Sequence, residues 1–203
     1  MQNKDIFFFK KYIDTVHSAY NTLDLKKLSY ISSIIKKKIK QKKNIFVCGN
    51  GGSASIANHF LCDFNKGIKI SSKNSIFPKV ISLSNSAEII TAIANDIDFK
   101  KVFSSQFENY ASSSDLLIIF SCSGKSKNIL DLELYAARKR ITVIKFYGFA
   151  QNLKKKRSNE IIINLKVNNY GISEDIFQGL MHMISQNIRS NFIKDFDFNK
   201  VRL

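Results

Sequence analysis

The sequence of 203 residues carries 32 lysine and arginine residues against 16 aspartate and glutamate residues, a formal charge of +16, and 44% of it is hydrophobic. This composition predicts one globular domain, and no apolar run reaches the ~18 residues that a membrane-spanning helix requires. The three cysteines lack the CxxC spacing of a metal site, which favours a reducing cytoplasm. Lysine is abundant along the whole chain without an aromatic-basic recognition motif, so the charge gives little support to nucleic-acid binding.

The predicted elements alternate in type along the chain. Apolar residues at helical spacing from 5 to 42, interrupted near "YNTLD", predict two N-terminal helices. Short apolar runs predict buried parallel strands at 44–48, 79–83, 115–120, 141–146 and 160–165. Helical patterns accompany them at 53–64, 86–93, 101–111, 127–139 and 174–192. This order predicts an α/β fold with a three-layer, doubly wound, five-stranded parallel sheet. We expect a single domain with N-terminal helices at 1–43, a core at 44–195 and a tail at 196–203.

Two loops that follow predicted strands share one design. "VCGNGGSAS" follows the first strand and "FSCSGKSKN" follows the third. Glycine permits unusual backbone conformations, and serine hydroxyls with the free amides of a helix start can hold an anion such as phosphate. Neither loop has the Walker or GxGxxG pattern, which disfavours a nucleoside triphosphate or a dinucleotide. We expect both loops to form one phosphate pocket at the carboxyl edge of the sheet, the alternative being ordinary turns with helix caps.

Two predicted helices carry histidines and acidic residues at helical spacing. His59 and Asp63 are four residues apart and share one helix face, and "GISEDIFQGLMHM" places Glu174, Gln178 and His182 at the same spacing. Histidine with a carboxylate can bind a divalent metal or divide acid and base duties. For each helix taken alone, the alternative is a histidine with a structural or solvent-exposed position.

Four motifs resemble, in order and spacing, the SIS (sugar isomerase) domain family and within it the phosphoheptose isomerases. They are "CGNGGSASIANHFLCDF", "IITAIANDIDFKKVFSSQ", "SCSGKSKNIL" and "YGISEDIFQGLMHMI". The resemblance implies a flavodoxin-like SIS fold and a homotetramer with active sites between subunits. It also implies the conversion of sedoheptulose 7-phosphate to D-glycero-D-manno-heptose 7-phosphate through an enediol. That reaction would serve heptose synthesis for lipopolysaccharide or capsule.

The resemblance also implies roles for individual residues. Asp63 is implied as the catalytic base with His182 as its partner, and a zinc ion is implied that polarises the substrate carbonyl. The implied zinc ligands are His59, Asp63, Glu174 and His182. The implied substrate-binding residues are Asn50, Gly51, Gly52, Ser53, Asp96, Ser121, Cys122, Ser123, Ser126 and Glu174. From the residues alone, Asp96 could equally be a helix cap and Asn50 a turn residue.

Three positions depart from the pattern of the family. Asp63 stands where a glutamate is usual, Glu174 where a glutamine is usual, and Cys122 where a threonine is usual. These departures predict a variant substrate or an altered use of the metal. A second class of function stays open because the family resembled here also includes non-catalytic SIS proteins that sense phosphosugars or bind the replication initiator, although the retained acid and base residues favour chemistry.

Overall fold

The structure, a computed structural model, describes residues 2–151 and 157–200. The five strands are β1 Asn44–Cys48, β2 Lys79–Ser82, β3 Leu116–Ser121, β4 Thr142–Tyr147 and β5 Glu160–Asn164. The α-helices are α1 Gln2–Asn21, α2 Leu25–Lys40, α3 Gly52–Cys62, α4 Lys69–Ser71, α5 Ala87–Ile93, α6 Ser104–Tyr110, α7 Lys127–Arg138 and α8 Tyr170–Arg189. Two π-helical segments, Asp63–Ile68 and Ala94–Asp98, continue α3 and α5, and 3-10 turns lie at Phe99–Lys101 and Ser190–Phe192.

All five strands pair in parallel, in the order β2-β1-β3-β4-β5. This confirms the predicted doubly wound sheet. The strand order reverses between β1 and β3, where Val47 pairs with Ile118 and Cys48 with Ile119. The two glycine and serine loops follow these two strands, so they meet at the switch point where ligands bind in open α/β sheets.

Helices cover both faces of the sheet because the central strands are apolar on both sides. Every residue of β3 is buried. On one face, α2, α3 and α8 pack around side chains such as Ile35, Phe60 and Phe177, and on the other α6 and α7 pack around Phe107 and Leu132. None of the helices in the described ranges has the length and apolar character of a membrane span.

The two N-terminal helices that the sequence pattern predicts are present, and they pack on the same side of the sheet as α8. The Asp24 carboxylate accepts the Lys27 amide and begins α2 just after the predicted break. The Tyr12 hydroxyl of α1 donates to Asp175 Oδ2 of α8 at 2.6 Å. Elsewhere α1 leaves apolar side chains exposed, namely Ile6, Phe7, Phe8, Phe9 and Ile13.

The last helix begins four residues before its predicted start. The Asn169 side chain accepts the Ile172 amide and caps α8, which therefore begins at Tyr170 and not at Glu174. This cap places Tyr170 at the sheet edge where the loops meet. The predicted tail at 196–203 lies only partly within the described residues.

A buried network of charged groups links β4, β5 and α7 beneath the second loop. Lys145 Nζ lies 2.8 Å from Glu133 Oε2 and 3.0 Å from Glu160 Oε1. The Tyr147 hydroxyl donates to the other oxygen of Glu133. The Tyr147 ring carbons lie 3.4 Å from the position that a Cβ would take on Gly124, so the network supports the backbone of that loop from below.

Candidate active site

A cavity of about 370 Å³ opens between the two loops and the start of α8. Its lining contains all the predicted substrate-binding residues except Asp96, together with Tyr170. The lining residues are Asn50, Gly51, Gly52, Ser53, Ser121, Cys122, Ser123, Ser126, Tyr170 and Glu174. The structure therefore brings the two loops into one pocket.

The first loop is shaped by glycines. Gly51 has φ +55° at the start of α3, and no side chain caps that helix start. A Cβ on Gly52 would collide with the Glu174 carboxylate. The amides of Gly52 and Ser53 are therefore available to an anion in the cavity, whereas those of Ala54 and Ser55 donate to the Gly51 carbonyl, and Gly52 lets α8 approach this turn closely.

The second loop is held by its own hydroxyls. Gly124, at φ +64°, donates its amide to Ser121 Oγ at 3.1 Å, and the Lys125 amide donates to Ser123 Oγ at 3.2 Å. Asn50 and Asn128 exchange two side-chain hydrogen bonds of 3.0 and 2.9 Å, which tie the two loops together. Asn50 therefore connects the two loops, in addition to its position in a turn.

Glu174 brings a negative charge into this cavity. Ser53 Oγ donates to Glu174 Oε1 at 3.2 Å, and Cys122 Sγ lies 3.9 Å from the same oxygen. Burial, with the nearby Glu174 charge, raises the pKa of the Cys122 thiol to about 11. Cys122 is therefore an uncharged thiol at neutral pH, and the carboxylate is the principal charge on this wall.

A second group of polar side chains lies further along α8. One ligand atom from each of His59, Asp63 and His182 lies within 4.8 Å of the others. His59 Nε2 is 3.4 Å from Asp63 Oδ1, and the two imidazole rings meet edge to face at 5.0 Å. The Asp63 side chain is 19% exposed and that of His59 46%.

Asp63 begins the π-helical segment that continues α3. Such wide turns recur at functional sites because they redirect side chains. The Ser185 hydroxyl of α8, fully buried, lies 3.1 Å from Asp63 Oδ2. Burial lowers the pKa of His182 and the neighbouring His59 lowers it further, against the opposing effect of Asp63, so the neutral imidazole predominates at pH 7.

Comparison with known proteins agrees with this geometry. Residues 8–148 match the family model of the SIS domain. The chain belongs to the SIS domain family. Over 183 residues, 90% of this chain and 98% of the relative, it is 31% identical to a probable phosphoheptose isomerase of Thermoplasma acidophilum. It is 40% identical over 110 residues to the phosphoheptose isomerase of Campylobacter concisus, a match that spans 57% of that relative and 54% of this chain.

The SIS fold is also evident in solved structures. The phosphoheptose isomerase GmhA of Neisseria gonorrhoeae superposes with a TM-score of 0.79 at 22% identity, covering 93% of this chain and 98% of that one. At this identity the likeness shows the fold, including the N-terminal helices.

Two predicted residues of this SIS domain lie away from the groups in which the sequence analysis placed them. Asp96 is exposed in the segment Ala94–Asp98, where it accepts from Asn95 Nδ2, and it does not line the cavity of its own chain. Glu174 points to Ser53 and Cys122 and does not belong to the cluster of His59, Asp63 and His182 among the described residues. Their implied roles at the substrate and at the metal stay predictions.

Three residues at the site were given no role by the sequence analysis. Gln178 Nε2 lies 2.9 Å from His59 Nδ1 and 3.0 Å from His182 Nε2. Ser185 contacts Asp63, and Tyr170 lines the cavity. The helical spacing from Glu174 to His182 already placed Gln178 on the right face of α8, whereas Tyr170 could have been found only from the Asn169 cap.

The cluster is a suitable donor set for a divalent metal. Two imidazoles and a carboxylate on adjacent helices are ligands that zinc uses at catalytic sites, where a further position is left for water or substrate. The donor atoms of His59, Asp63 and His182 already lie close together, with Asp63 held from behind by Ser185. These residues fit the zinc ion that the SIS resemblance implies.

Proposed function

We propose that this chain is a phosphoheptose isomerase, which converts sedoheptulose 7-phosphate to D-glycero-D-manno-heptose 7-phosphate. The observation that carries the proposal is that α8 runs from the anion cavity, at Glu174, to the cluster at His182. Eight residues of helix span about 12 Å. A phosphorylated sugar held at its phosphate end by the loops would thus place its other end at the cluster.

The residues of the cluster match the needs of an aldose–ketose isomerisation. Asp63 would remove a proton from the carbon beside the carbonyl and return it to the neighbouring carbon, with an enediol between the two steps. His182 would move the hydroxyl proton between the two oxygens, so that no other reagent is consumed. A zinc ion, when bound by His59, Asp63 and His182, polarises the carbonyl and stabilises the enediolate.

The phosphate end of the substrate would rest on the two loops. The uncapped start of α3, with Gly51, Gly52 and Ser53, offers backbone amides and a hydroxyl to the anion. The second loop offers the hydroxyls of Ser121, Ser123 and Ser126, and Asn50 holds the two loops together. Glu174 and Cys122 would face the sugar hydroxyls, and the metal-ligand role that the family implies for Glu174 would require its carboxylate to leave Ser53.

We further propose a homotetramer in the cytoplasm, built from one domain per chain. The exposed apolar side chains of α1, from Ile6 to Ile13, support burial against another copy because a surface this apolar is costly in water. If active sites lie between subunits, Asp96, which is exposed in its own chain, would be able to line the cavity of a neighbouring subunit. Neither a membrane nor nucleic acid is proposed as a partner.

The test is an NMR assay of the purified protein with sedoheptulose 7-phosphate in deuterated water, with added zinc and with a chelator. An aldose product that carries deuterium beside the carbonyl establishes enediol isomerisation, and the chelator sample reports the need for metal. Phosphosugar binding with no product and no exchange would contradict the proposal. It would favour the alternative, a regulatory SIS protein that binds a phosphosugar or the replication initiator.

Replacing Glu174 with glutamine should strengthen phosphosugar binding about tenfold. Two unit negative charges about 10 Å apart repel by about 1.7 kcal/mol at an effective dielectric of about 20, and the second charge of the phosphate is offset by solvent and salt in the open cavity. Glutamine keeps an oxygen that accepts from Ser53. The measurement is the Kd of sedoheptulose 7-phosphate by calorimetry in an Asp63→Asn background, where turnover is suppressed.

The neighbouring Asp175→Asn is the matched control for this charge change. Asp175 is exposed and bonds to Tyr12 of α1, outside the cavity lining. Its neutralisation should leave Kd within about twofold, because exposed charges are screened by solvent and salt. Equal affinities for Glu174→Gln and the parent would show that Glu174 does not face the phosphate or is paired by a metal.

A further inference from the structure

Arg189, the last residue of α8, carries a buried positive charge that the proposed isomerisation does not use. Its side chain is 6% exposed, and no carboxylate in the described ranges forms an ion pair with it. A guanidinium keeps its charge at neutral pH, and burial of a charge without an ion-pair partner is costly. The contacts of Arg189 therefore explain its presence better than a gain in stability does.

The guanidinium of Arg189 packs against the chain that follows α3. Its Nε donates to Ser71 Oγ at 3.0 Å. A Cβ on Gly67 would lie 3.2 Å from both Cζ and Nη1 of Arg189, so the absence of a side chain at Gly67 allows this close approach. Arg189 thus connects the end of α8 with the far end of the π-helical segment Asp63–Ile68 and with the short α4 behind it.

The π-helical segment Asp63–Ile68 depends on contacts of this kind. A π-helix bonds each amide to the carbonyl five residues back and is rare, so the α-helical register of the flanking α3 and α4 competes with it. Asn65 exchanges two hydrogen bonds, of 2.9 and 3.0 Å, with the backbone of Val80 in β2, and Gly67 lies against Arg189. Loss of the second contact should let the segment change register and rotate its side chains.

Asp63, at the start of the same segment, is the carboxylate of the histidine cluster. Helix α8 contacts this segment at both ends, because Ser185 donates to Asp63 Oδ2 at 3.1 Å and Arg189, one turn later, lies against Gly67. Burial lowers the pKa of Arg189, and the negative charge of Asp63 opposes this effect. The buried cation and the Asp63 carboxylate therefore lie near enough to interact.

We propose that Arg189 is a positioning residue that fixes the π-helical register after Asp63 and thereby holds the Asp63 carboxylate toward His59 and His182. Its consequences for turnover rest on the proposed isomerase function, whereas its effect on the segment does not. Arg189 acts through Asp63 and not on the substrate. A displacement of the base by about 1 Å can cost on the order of a hundredfold in rate, so a distant contact of this kind matters for catalysis.

The structural test is hydrogen–deuterium exchange of the full-length protein, measured by mass spectrometry on peptides that cover residues 63–71. Arg189→Met keeps the side-chain length and removes both the charge and the donor to Ser71. It should speed exchange of these amides about tenfold, because local opening of the segment becomes easier. The midpoint of urea unfolding should stay unchanged or rise, because an unpaired buried charge is removed.

Two outcomes of the exchange experiment would contradict the proposal. Exchange at 63–71 in Arg189→Met equal to that in the parent would show that Arg189 does not hold the segment. Faster exchange in all peptides, with a lower urea midpoint, would indicate a merely structural effect on the whole domain.

Arg138→Met is the matched control for Arg189→Met. Arg138 is likewise the last residue of its helix, α7, but it is exposed, so exchange at 63–71 should stay within about twofold of the parent. Gly67→Ala perturbs the same contact from the other side, because its Cβ would press on the guanidinium. It should speed exchange when Arg189 is present and add little in Arg189→Met. Equal effects of Gly67→Ala in both backgrounds would argue against the contact.

Cobalt binding and kinetics report whether the segment positions Asp63. The probe is Co²⁺ alone, titrated by its visible absorption into protein from which a chelator has removed other metals. Arg189→Met should weaken Co²⁺ binding about tenfold and lower kcat about 10- to 100-fold, the range for residues that orient metal ligands, with KM changed less than about threefold. Arg138→Met should change neither quantity by more than about twofold.

The failure of this proposal can be told from the failure of the proposed function. Faster exchange at 63–71 with unchanged Co²⁺ affinity and unchanged kcat would overturn the role of Arg189 in positioning Asp63. A parent protein that binds Co²⁺ and converts no sedoheptulose 7-phosphate would refute the isomerase function, and the Co²⁺ affinities and exchange rates would still decide the role of Arg189.

Discussion

Asp63→Asn should reduce kcat for sedoheptulose 7-phosphate by about 10³-fold while the oligomer and the phosphosugar affinity stay intact. An amide oxygen cannot accept the carbon-bound proton, and general base catalysis contributes about 10²–10⁴-fold in rate. Asparagine has nearly the shape of aspartate and keeps an oxygen for the Ser185 hydroxyl, so the fold around the π-helical segment is preserved. The measurement is turnover by NMR, with size-exclusion chromatography for assembly.

Two control variants distinguish a catalytic role of the Asp63 carboxylate from a general effect of removing a negative charge and from an effect of side-chain length. Asp175→Asn makes the same chemical change on the exposed side of α8 and should leave kcat within about twofold. Asp63→Glu restores the side-chain length that is usual in phosphoheptose isomerases and should keep most of the activity, because the carboxylate is retained. Turnover by Asp63→Asn equal to the parent would exclude Asp63 as the base. Loss of assembly in the same variant would instead indicate a structural role.

Lys145→Met should destabilise the protein by about 3–5 kcal/mol. The Lys145 side chain is 6% exposed, and its partners Glu133 and Glu160 are 11% and 7% exposed. Removal of the only ammonium group within 3.0 Å of these carboxylates in the described residues leaves two buried negative charges, with Arg157 at 3.4 Å from one of them. Urea unfolding at one fixed subunit concentration measures the change, since assembly contributes to stability.

Lys101→Met is the comparison for this buried network. Lys101 pairs with Asp131 at 2.9 Å but is 41% exposed, so its loss should cost less than about 1 kcal/mol. The triple variant Lys145→Met with Glu133→Gln and Glu160→Gln should recover much of the stability, because no buried charge is then left unpaired. A loss below about 1 kcal/mol for Lys145→Met would show that water reaches these carboxylates.

Much of the fold could be predicted from local sequence patterns. The apolar runs located all five strands to within one or two residues, and the break after Asn21 located the turn between the first two helices. These patterns are local, because an apolar strand and a capped helix are encoded in neighbouring residues. The start of α8 was predicted four residues late because the Asn169 cap precedes the apolar pattern of the helix.

For the candidate site too, some features could be predicted from local sequence and others could not. Both loops, with their glycines and serines, were evident from the sequence because glycine at positive φ and serine near a helix start are local requirements. The sequence by itself thus determined the sheet, the helices and the glycine- and serine-rich character of the two loops that meet in the cavity. Glu174, Gln178 and His182 share one face of α8, however, and helical spacing does not say which of the three lies in the cavity and which lies at the histidine cluster.

Only the tertiary structure decided which of those residues lie in the cavity and which lie at the histidine cluster. It placed Glu174 against Gly52 and Ser53 in the cavity and Gln178 between His59 and His182, a contact between residues 119 positions apart. It also left Asp96 exposed, away from the cavity of its own chain. The physical reason is that these contacts depend on the distance and rotation between packed helices. Those are set by the whole apolar core and not by any short stretch of residues.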